Sequence, residues 1–255
     1  MLARLFKRLK RDDPPERAVT ANAKPIPTKI NVGCGYDKRP GYLNIDSDPS
    51  CEPDILIRDN DLSGLPQGAF DEVYARDVLE HIPRRLSQAV LLDWAALLRP
   101  GGTLFIQTSD VLGVAKRMVQ EDTFEFQYNW TACLFGNQAH SGDFHYTGFT
   151  ERTLRIHLEA AGFTVSGFDW QDEWLISTRA PKTADWTALA TSGAALNDRK
   201  FVAEAFRLGV FREASADDLA HFTALLRTGS SRLSILKAIH ASPERLLRLA
   251  KRPDV

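Results

Sequence analysis

Lys29-Ile30-Asn31-Val32-Gly33-Cys34-Gly35, answered by Tyr42-Leu43-Asn44-Ile45-Asp46, is the stretch that decides the fold of this chain. It reads as strand, glycine turn, strand, acid. An apolar strand that empties into two glycines lets main-chain N–H groups approach an anionic or zwitterionic ligand, because no Cβ stands in the way. An acid closing the next strand accepts hydrogen bonds from a ribose diol, a pairing that suits a nucleoside-bearing ligand in an open α/β sheet. Plain turns also use Gly-x-Gly, so the blocks that follow carry the decision.

Two such blocks follow. The first runs Leu65-Pro66-Gln67-Gly68-Ala69-Phe70-Asp71-Glu72-Val73-Tyr74-Ala75-Arg76-Asp77-Val78-Leu79-Glu80-His81-Ile82, and the second Leu98-Arg99-Pro100-Gly101-Gly102-Thr103-Leu104-Phe105-Ile106. With the glycine turn, their order and spacing resemble class I S-adenosylmethionine-dependent methyltransferases. The chain also resembles a bacterial group of predicted methyltransferases with a short first connection and a later segment, here Phe135-Gly136-Asn137-Gln138, Asp143-Phe144-His145 and Gly148-Phe149-Thr150. The resemblance spans residues 28 to 178. It implies a Rossmann-like sheet of seven strands, the last antiparallel, with S-adenosylmethionine as cofactor.

With 255 residues, 44% of them hydrophobic and 25% charged, the chain can bury one α/β core and a small appendage. A net charge of −1 and no basic motif interleaved with aromatics argue against a nucleic-acid partner. Three cysteines, Cys34, Cys51 and Cys133, are widely spaced and fit a reducing cytoplasm. No uncharged stretch reaches the length of a membrane span. Leu2, Leu5, Phe6 and Leu9 alternate with Arg4, Lys7, Arg8, Lys10 and Arg11 at helical spacing, so residues 1–11 suit peripheral contact with an anionic membrane, against the plainer reading of a solvated start.

The expected organisation is a basic amphipathic tail over 1–23, a methyltransferase domain over 24–180, a linker over 181–197 and a helical domain over 198–255. Within the second, alternation predicts strands near 28–32, 42–45, 54–57, 70–75, 103–108, 163–169 and 174–179. Helices are expected over 83–98, from Ser109 or Asp110 to Gln120, and from Thr150 to Ala161, where Gly162 ends the last. Between Gly35 and Asp46 there is room only for a turn. Residues 121–149 lack clean periodicity and carry Phe124, Phe126, Tyr128, Trp130, Phe135, Phe144, Tyr146 and Phe149. This stretch is expected to be a loop covering the acceptor, with core filling as the alternative for its rings.

Helical stripes then recur at Phe201, Val202, Ala205 and Phe206, at Leu219, Phe222, Leu225 and Leu226, and at Leu233, Leu236 and Ile239. This region resembles a small helical domain of unknown function that accompanies glycosyltransferases and methyltransferases of bacterial surface-glycan assembly, through Phe201-Val202, Phe206-Arg207, Phe211-Arg212, Leu219, Leu225 and Ser242-Pro243-Glu244. Asp218 and Phe222 depart from its usual glycine and tryptophan. The likeness implies a glycan-assembly partner for residues 198–255.

The methyltransferase resemblance implies that main-chain N–H groups around Gly33, Cys34 and Gly35 hold the cofactor. Asp46 takes the ribose hydroxyls, with Asp48 as second choice. Asp61 and Leu62 stand where related enzymes place an acid on the adenine amino group and an apolar residue against its ring; Asp59 lies beside them. Arg76 and Asp77 face the methionine part. Methyl transfer to a hydroxyl needs alignment and a base, and a histidine near its ordinary pKa suits the task. His145 is the first choice, His81 the second and Asp110 the third, although the Glu-His pair at His81 also recurs in related enzymes as structure. No metal site is expected, since turns and helix starts use His, Asp and Glu routinely.

The sequence thus predicts a cytoplasmic enzyme, peripheral at most to the inner membrane, that O-methylates a sugar of a bacterial surface polysaccharide or glycoconjugate. A small aromatic or lipid-like acceptor, methylated on O or N, is the second reading. A SAM-fold interaction module without catalysis is the third.

Overall fold

The computed structural model describes residues 26–252 apart from Asp59 and Ser141, so the amphipathic tail and its membrane contact lie outside the described residues. The chain runs β1 (Lys29–Val32), β2 (Leu43–Asp46), β3 (Ile55–Leu56), β4 (Phe70–Arg76), α1 (Arg84–Leu97), β5 (Leu98–Ser109), α2 (Val111–Gln120), α3 (Phe124–Phe135), α4 (Glu151–Ala160), β6 (Asp169–Gln171) and β7 (Leu175–Pro181). Helices α5 (Ala188–Ser192), α6 (Asp198–Gly209), α7 (Ala216–Arg227), α8 (Arg232–His240) and α9 (Pro243–Leu249) follow. The strands form one sheet of seven in the order β3-β2-β1-β4-β5-β7-β6. β7 runs antiparallel to β5, whereas β1 to β5 are mutually parallel. That is the expected Rossmann-like methyltransferase sheet.

Because parallel strands must be covered, alternate side chains divide the sheet. Ile30, Val73, Leu104, Ile176 and Ile106 are buried in the core with Leu91, Trp94 and Leu97 of α1. The opposite face carries a stack instead: the Arg39 guanidinium lies 3.9 Å from the Tyr74 ring centroid, Tyr74 stacks on Phe105 at 4.5 Å, and Arg179 lies over Phe105. No helix follows β1; residues 33–42 are turn, as their length required.

Three expectations need correction. Residues 121–149 are not all loop, for Thr123 caps the helix α3 by accepting from Phe126 N–H. Its periodicity was illegible because no residue of α3 is fully buried. β6 is confined to Asp169–Gln171; Phe163 bridges Lys182 and Thr164 N–H donates to the Pro181 carbonyl of β7, but residues 165–168 lie outside any strand, with Thr178 Oγ1 donating to the Gly167 carbonyl. Finally, the 181–197 stretch is anchored rather than free: Trp186 is buried and donates through Nε1 to the Leu92 carbonyl of α1 at 3.0 Å.

The C-terminal helices share the core of the sheet. Phe201, Val202, Phe206, Ile235, Leu236 and Ile239 belong to the same buried cluster as Trp94, and Lys237 of α8 pairs with Asp93 of α1. Asp218 closes the capping box of α7 and, with Glu244, grips Arg212, which gives this departure from the usual glycine a physical use. No helix among the described residues is long and apolar enough to cross a membrane.

Candidate active site

The carboxyl ends of β1, β2, β4 and β5 meet along one edge of the sheet, where the Gly33–Gly35 turn, Asp46, Arg76 and the turn bearing His81 follow them. Gly33 and Gly35 both adopt positive φ, +62° and +49°. A Cβ at Gly33 would strike the Val78 side chain, whereas one at Gly35 would stand in open space. Gly33 is therefore required for packing, whereas the space beside Gly35 is open.

Asp46 is half-buried and held from two sides. Its Oδ2 accepts the Gly35 N–H at 2.7 Å and its Oδ1 the Asp48 N–H at 2.9 Å. Each oxygen keeps acceptor capacity, so a fixed carboxylate is available to a diol. This corrects part of the expected cradle. The N–H of Cys34 donates to the Ile45 carbonyl at 3.0 Å, so the N–H groups of Cys34 and Gly35 tie the turn to β2, and the Cys34 thiol is buried. Burial, with Asp46 adding to it, pushes that thiol up to about 11. Asp48 instead caps the 3-10 turn Pro49–Cys51, accepting from Ser50. The open face at Gly35 and the braced Asp46 still fit the adenosyl half of S-adenosylmethionine.

Leu62 is buried in the core, and Asp61 accepts the Ser63 N–H at 3.0 Å. Hydrogen bonds from the Ser63 side chain and main chain hold the Asp61 carboxyl below the usual range, with help from Lys237. Arg76 is exposed and bridges β4 to the turn after β1 through Asp37 at 3.2 Å, with Asp77 at 3.5 Å.

The three candidate bases part company. Asp110 is buried, and its Oδ2 accepts the Gly113 N–H at 2.7 Å as the N-cap of α2, which is a structural duty. His81 and His145 come together, their rings edge-on with centroids 4.7 Å apart. His81 Nδ1 faces the Phe144 carbonyl at 3.1 Å and His145 Nδ1 the Cys133 carbonyl at 3.1 Å. A carbonyl only accepts, so each Nδ1 carries the proton and each neutral ring keeps Nε2 as its basic nitrogen. Burial lowers the His81 pKa, and the neighbouring His145 lowers it further.

The segment bearing His145 is set by backbone geometry. His145 N–H donates to the Phe135 carbonyl, while Tyr146 N–H and Thr147 N–H donate to Glu80. Gly136, at φ +76°, ends α3 where any Cβ would collide with the Asp143 carbonyl oxygen. Phe135 and Tyr146 are 56% and 52% exposed, and Phe144 stacks on Tyr146 at 6.1 Å. Trp130 is different: it packs against Phe126 at 5.1 Å and Trp174 at 5.2 Å, joining α3 to the β6–β7 turn. Among the described residues no cluster of three or more His, Cys, Asp or Glu could hold a metal ion.

A methyltransferase domain family model matches residues 15–166. Over 48 residues the chain is 46% identical to the ubiquinone biosynthesis O-methyltransferase of Xanthomonas campestris pv. campestris, a stretch that is 19% of each chain. The match therefore spans about a fifth (19%) of that curated relative. A SAM-dependent methyltransferase from Methanosarcina mazei is 14% identical, covering 60% of this chain and 91% of that one, with a TM-score of 0.44. The 1,6-didemethyltoxoflavin-N1-methyltransferase of Burkholderia thailandensis, solved with 1,6-didemethyltoxoflavin and S-adenosylhomocysteine, is 18% identical over 61% of this chain and 71% of its own, TM-score 0.41.

Proposed function

The chain belongs to the methyltransferase domain family and is a SAM-dependent methyltransferase; on that premise we propose that it methylates a hydroxyl of a ring-bearing small molecule. S-adenosylmethionine, when bound, supplies an electron-poor methyl carbon already attached to its leaving group. What remains for this chain is to orient the acceptor and take its proton.

One observation carries the reading: two imidazoles side by side, each with Nδ1–H fixed on a carbonyl, at the end of the sheet where β1, β2 and β4 leave off. His145, carried by the segment between Phe135 and Tyr146, takes the acceptor proton on Nε2. His81 fixes the direction of that ring and is the alternative base. Arg76 and Asp46 hold the two ends of the cofactor.

The acceptor we favour is a sugar of a bacterial surface glycan, on the strength of the glycan-assembly likeness in residues 198–255, which would also provide the partner surface. A phenol is the second reading, favoured by the exposed rings of Phe135 and Tyr146. Turnover of S-adenosylmethionine against nucleotide sugars, lipid-linked glycans and phenols, in wild type and His145→Ala, tests both. Methyl transfer restricted to amines defeats the hydroxyl reading, and equal turnover by the variant removes His145 as its base.

A further inference from the structure

The turn between β4 and α1 holds an acid that methyl transfer leaves unused. Glu80 is 3% exposed, and its Oε2 has no hydrogen-bond partner. Thr108, on the adjoining β5, is fully buried with an unpartnered hydroxyl, and Asp110 farther along keeps an unpartnered Oδ1. Buried polar oxygens without partners are uncommon, and each calls for a donor. An ionised Glu80 brings none. The Thr108 hydroxyl can supply one donor, which favours the charged form, but burial without a counter-ion outweighs it, and a Glu80 that keeps its proton adds a second donor.

The charges around this carboxyl work the same way. Asp77, just after β4, faces it with a like charge; Asp110 caps α2 just after β5, and His81 follows Glu80 in the turn. On the segment packed over the turn the titratable groups are His140, Asp143, His145 and Tyr146. Among the described residues no lysine, arginine or histidine forms an ion pair with Glu80. Burial first, and Asp77 second, push the carboxyl up to about 8.

The main chain of Glu80 has a separate reach. Its carbonyl accepts Tyr146 N–H at 2.8 Å and Thr147 N–H at 3.2 Å, and the neighbouring Ile82 carbonyl accepts Thr147 Oγ1 at 2.7 Å. The next residue in the turn is His81. Anything that shifts this turn moves both imidazoles.

We propose that Glu80 is a positioning residue that works as a neutral carboxyl, fastening the Leu79–His81 turn to β5 and thereby holding His81 and His145 in one geometry, which the loss of its proton loosens. Its kinetic consequence rests on the methyl-transfer reading: turnover falls on the alkaline side as Glu80, rather than a histidine, changes charge. Its effect on folding does not rest on that reading. The folded state keeps a proton that the unfolded chain releases near the ordinary carboxyl value, so stability declines as pH rises from about 4.5 to about 8 and then levels off.

The test compares the full chain with Glu80→Gln, which mimics the neutral acid, and Glu80→Ala, which removes it. Melting temperature is followed from pH 5 to pH 9, with kcat and acceptor KM alongside. The expected result is that the advantage of Glu80→Gln over wild type widens between pH 5 and pH 8, and that its kcat keeps a plateau where wild type declines. Glu80→Ala is expected to lower kcat on the order of 100-fold, the usual cost of a misplaced catalytic group, with cofactor affinity retained. Parallel melting profiles for wild type and Glu80→Gln would overturn the proposal without any reference to turnover. An unchanged alkaline decline in Glu80→Gln would overturn it kinetically. Should Glu80→Ala fail to fold, the Glu80→Gln comparison still decides.

Discussion

His81 and His145 lie edge-on, 4.7 Å between ring centroids, although one follows β4 and the other sits beyond α3. Each spends its Nδ1–H on a main-chain carbonyl, so both rings are oriented before any acceptor arrives. His145→Ala is expected to lower kcat by a factor on the order of 100 to 10,000 while leaving calorimetric binding of S-adenosylhomocysteine intact. Full activity in His145→Ala combined with loss in His81→Ala would transfer the base to His81. Burial and His145 hold the His81 pKa low, so that ring stays neutral into mild acid. An enzyme using it would keep its kcat at a pH where an ordinary imidazole is already protonated.

Asp46 is expected to govern cofactor affinity. Its replacement by Ala removes two charge-assisted acceptors for a diol, worth roughly 1.5–3 kcal/mol. It also frees the N–H groups of Gly35 and Asp48, so melting temperature falls as well. Isothermal titration of S-adenosylmethionine shows the first effect and differential scanning fluorimetry the second. Unchanged affinity would remove Asp46 from the cofactor site.

Trp130 and Phe135 belong to one helix yet should fail differently. Trp130→Ala breaks ring contacts with Phe126 and Trp174, each worth about 0.5–1.5 kcal/mol beyond burial, and should lower the melting temperature. Phe135→Ala, at a side chain 56% exposed, should leave stability unchanged and raise acceptor KM. Loss of stability in Phe135→Ala, with KM unchanged, would make that ring a packing element.

Gly136→Ala is expected to cost more activity than its small size suggests. The position has φ +76°, and the added Cβ meets the Asp143 carbonyl, so the turn that delivers His145 must shift. A kcat unchanged from wild type would show that the turn does not set the histidine.

Acid should release the C-terminal helices. His240 is buried with an unpartnered Nδ1, and burial, aided by Arg245, lowers it to about 3. The unfolded chain binds a proton there that the folded chain excludes, so stability is lost as pH falls from about 6.5 toward about 3. Replacing His240 by Leu should flatten the fall of melting temperature in that window; an identical slope would assign acid sensitivity to other groups.

The sequence by itself determined the succession of β1 to β5, the glycine turn, the acid closing β2, the cap at Thr150 and the absence of a helix after β1, and it left Ser109 and Asp110 open as the cap of α2. Each of these is local: alternation, φ preference and capping chemistry act within a few residues, so their signal survives in one dimension. It also named His81 and His145 separately as candidates. Only the tertiary structure decided that they form a pair, that Asp110 is a helix cap rather than a base, that Leu62 is core, that Cys34 N–H is spent on β2, and that Trp130 is packing where Phe135 is surface. The helix α3 stayed hidden for the same reason: it buries no complete face, so nothing in its apolar spacing reports its period. Which oxygen accepts, which ring is exposed and which acid keeps its proton depend on neighbours brought from distant parts of the chain, and hydrophobic spacing carries no record of them.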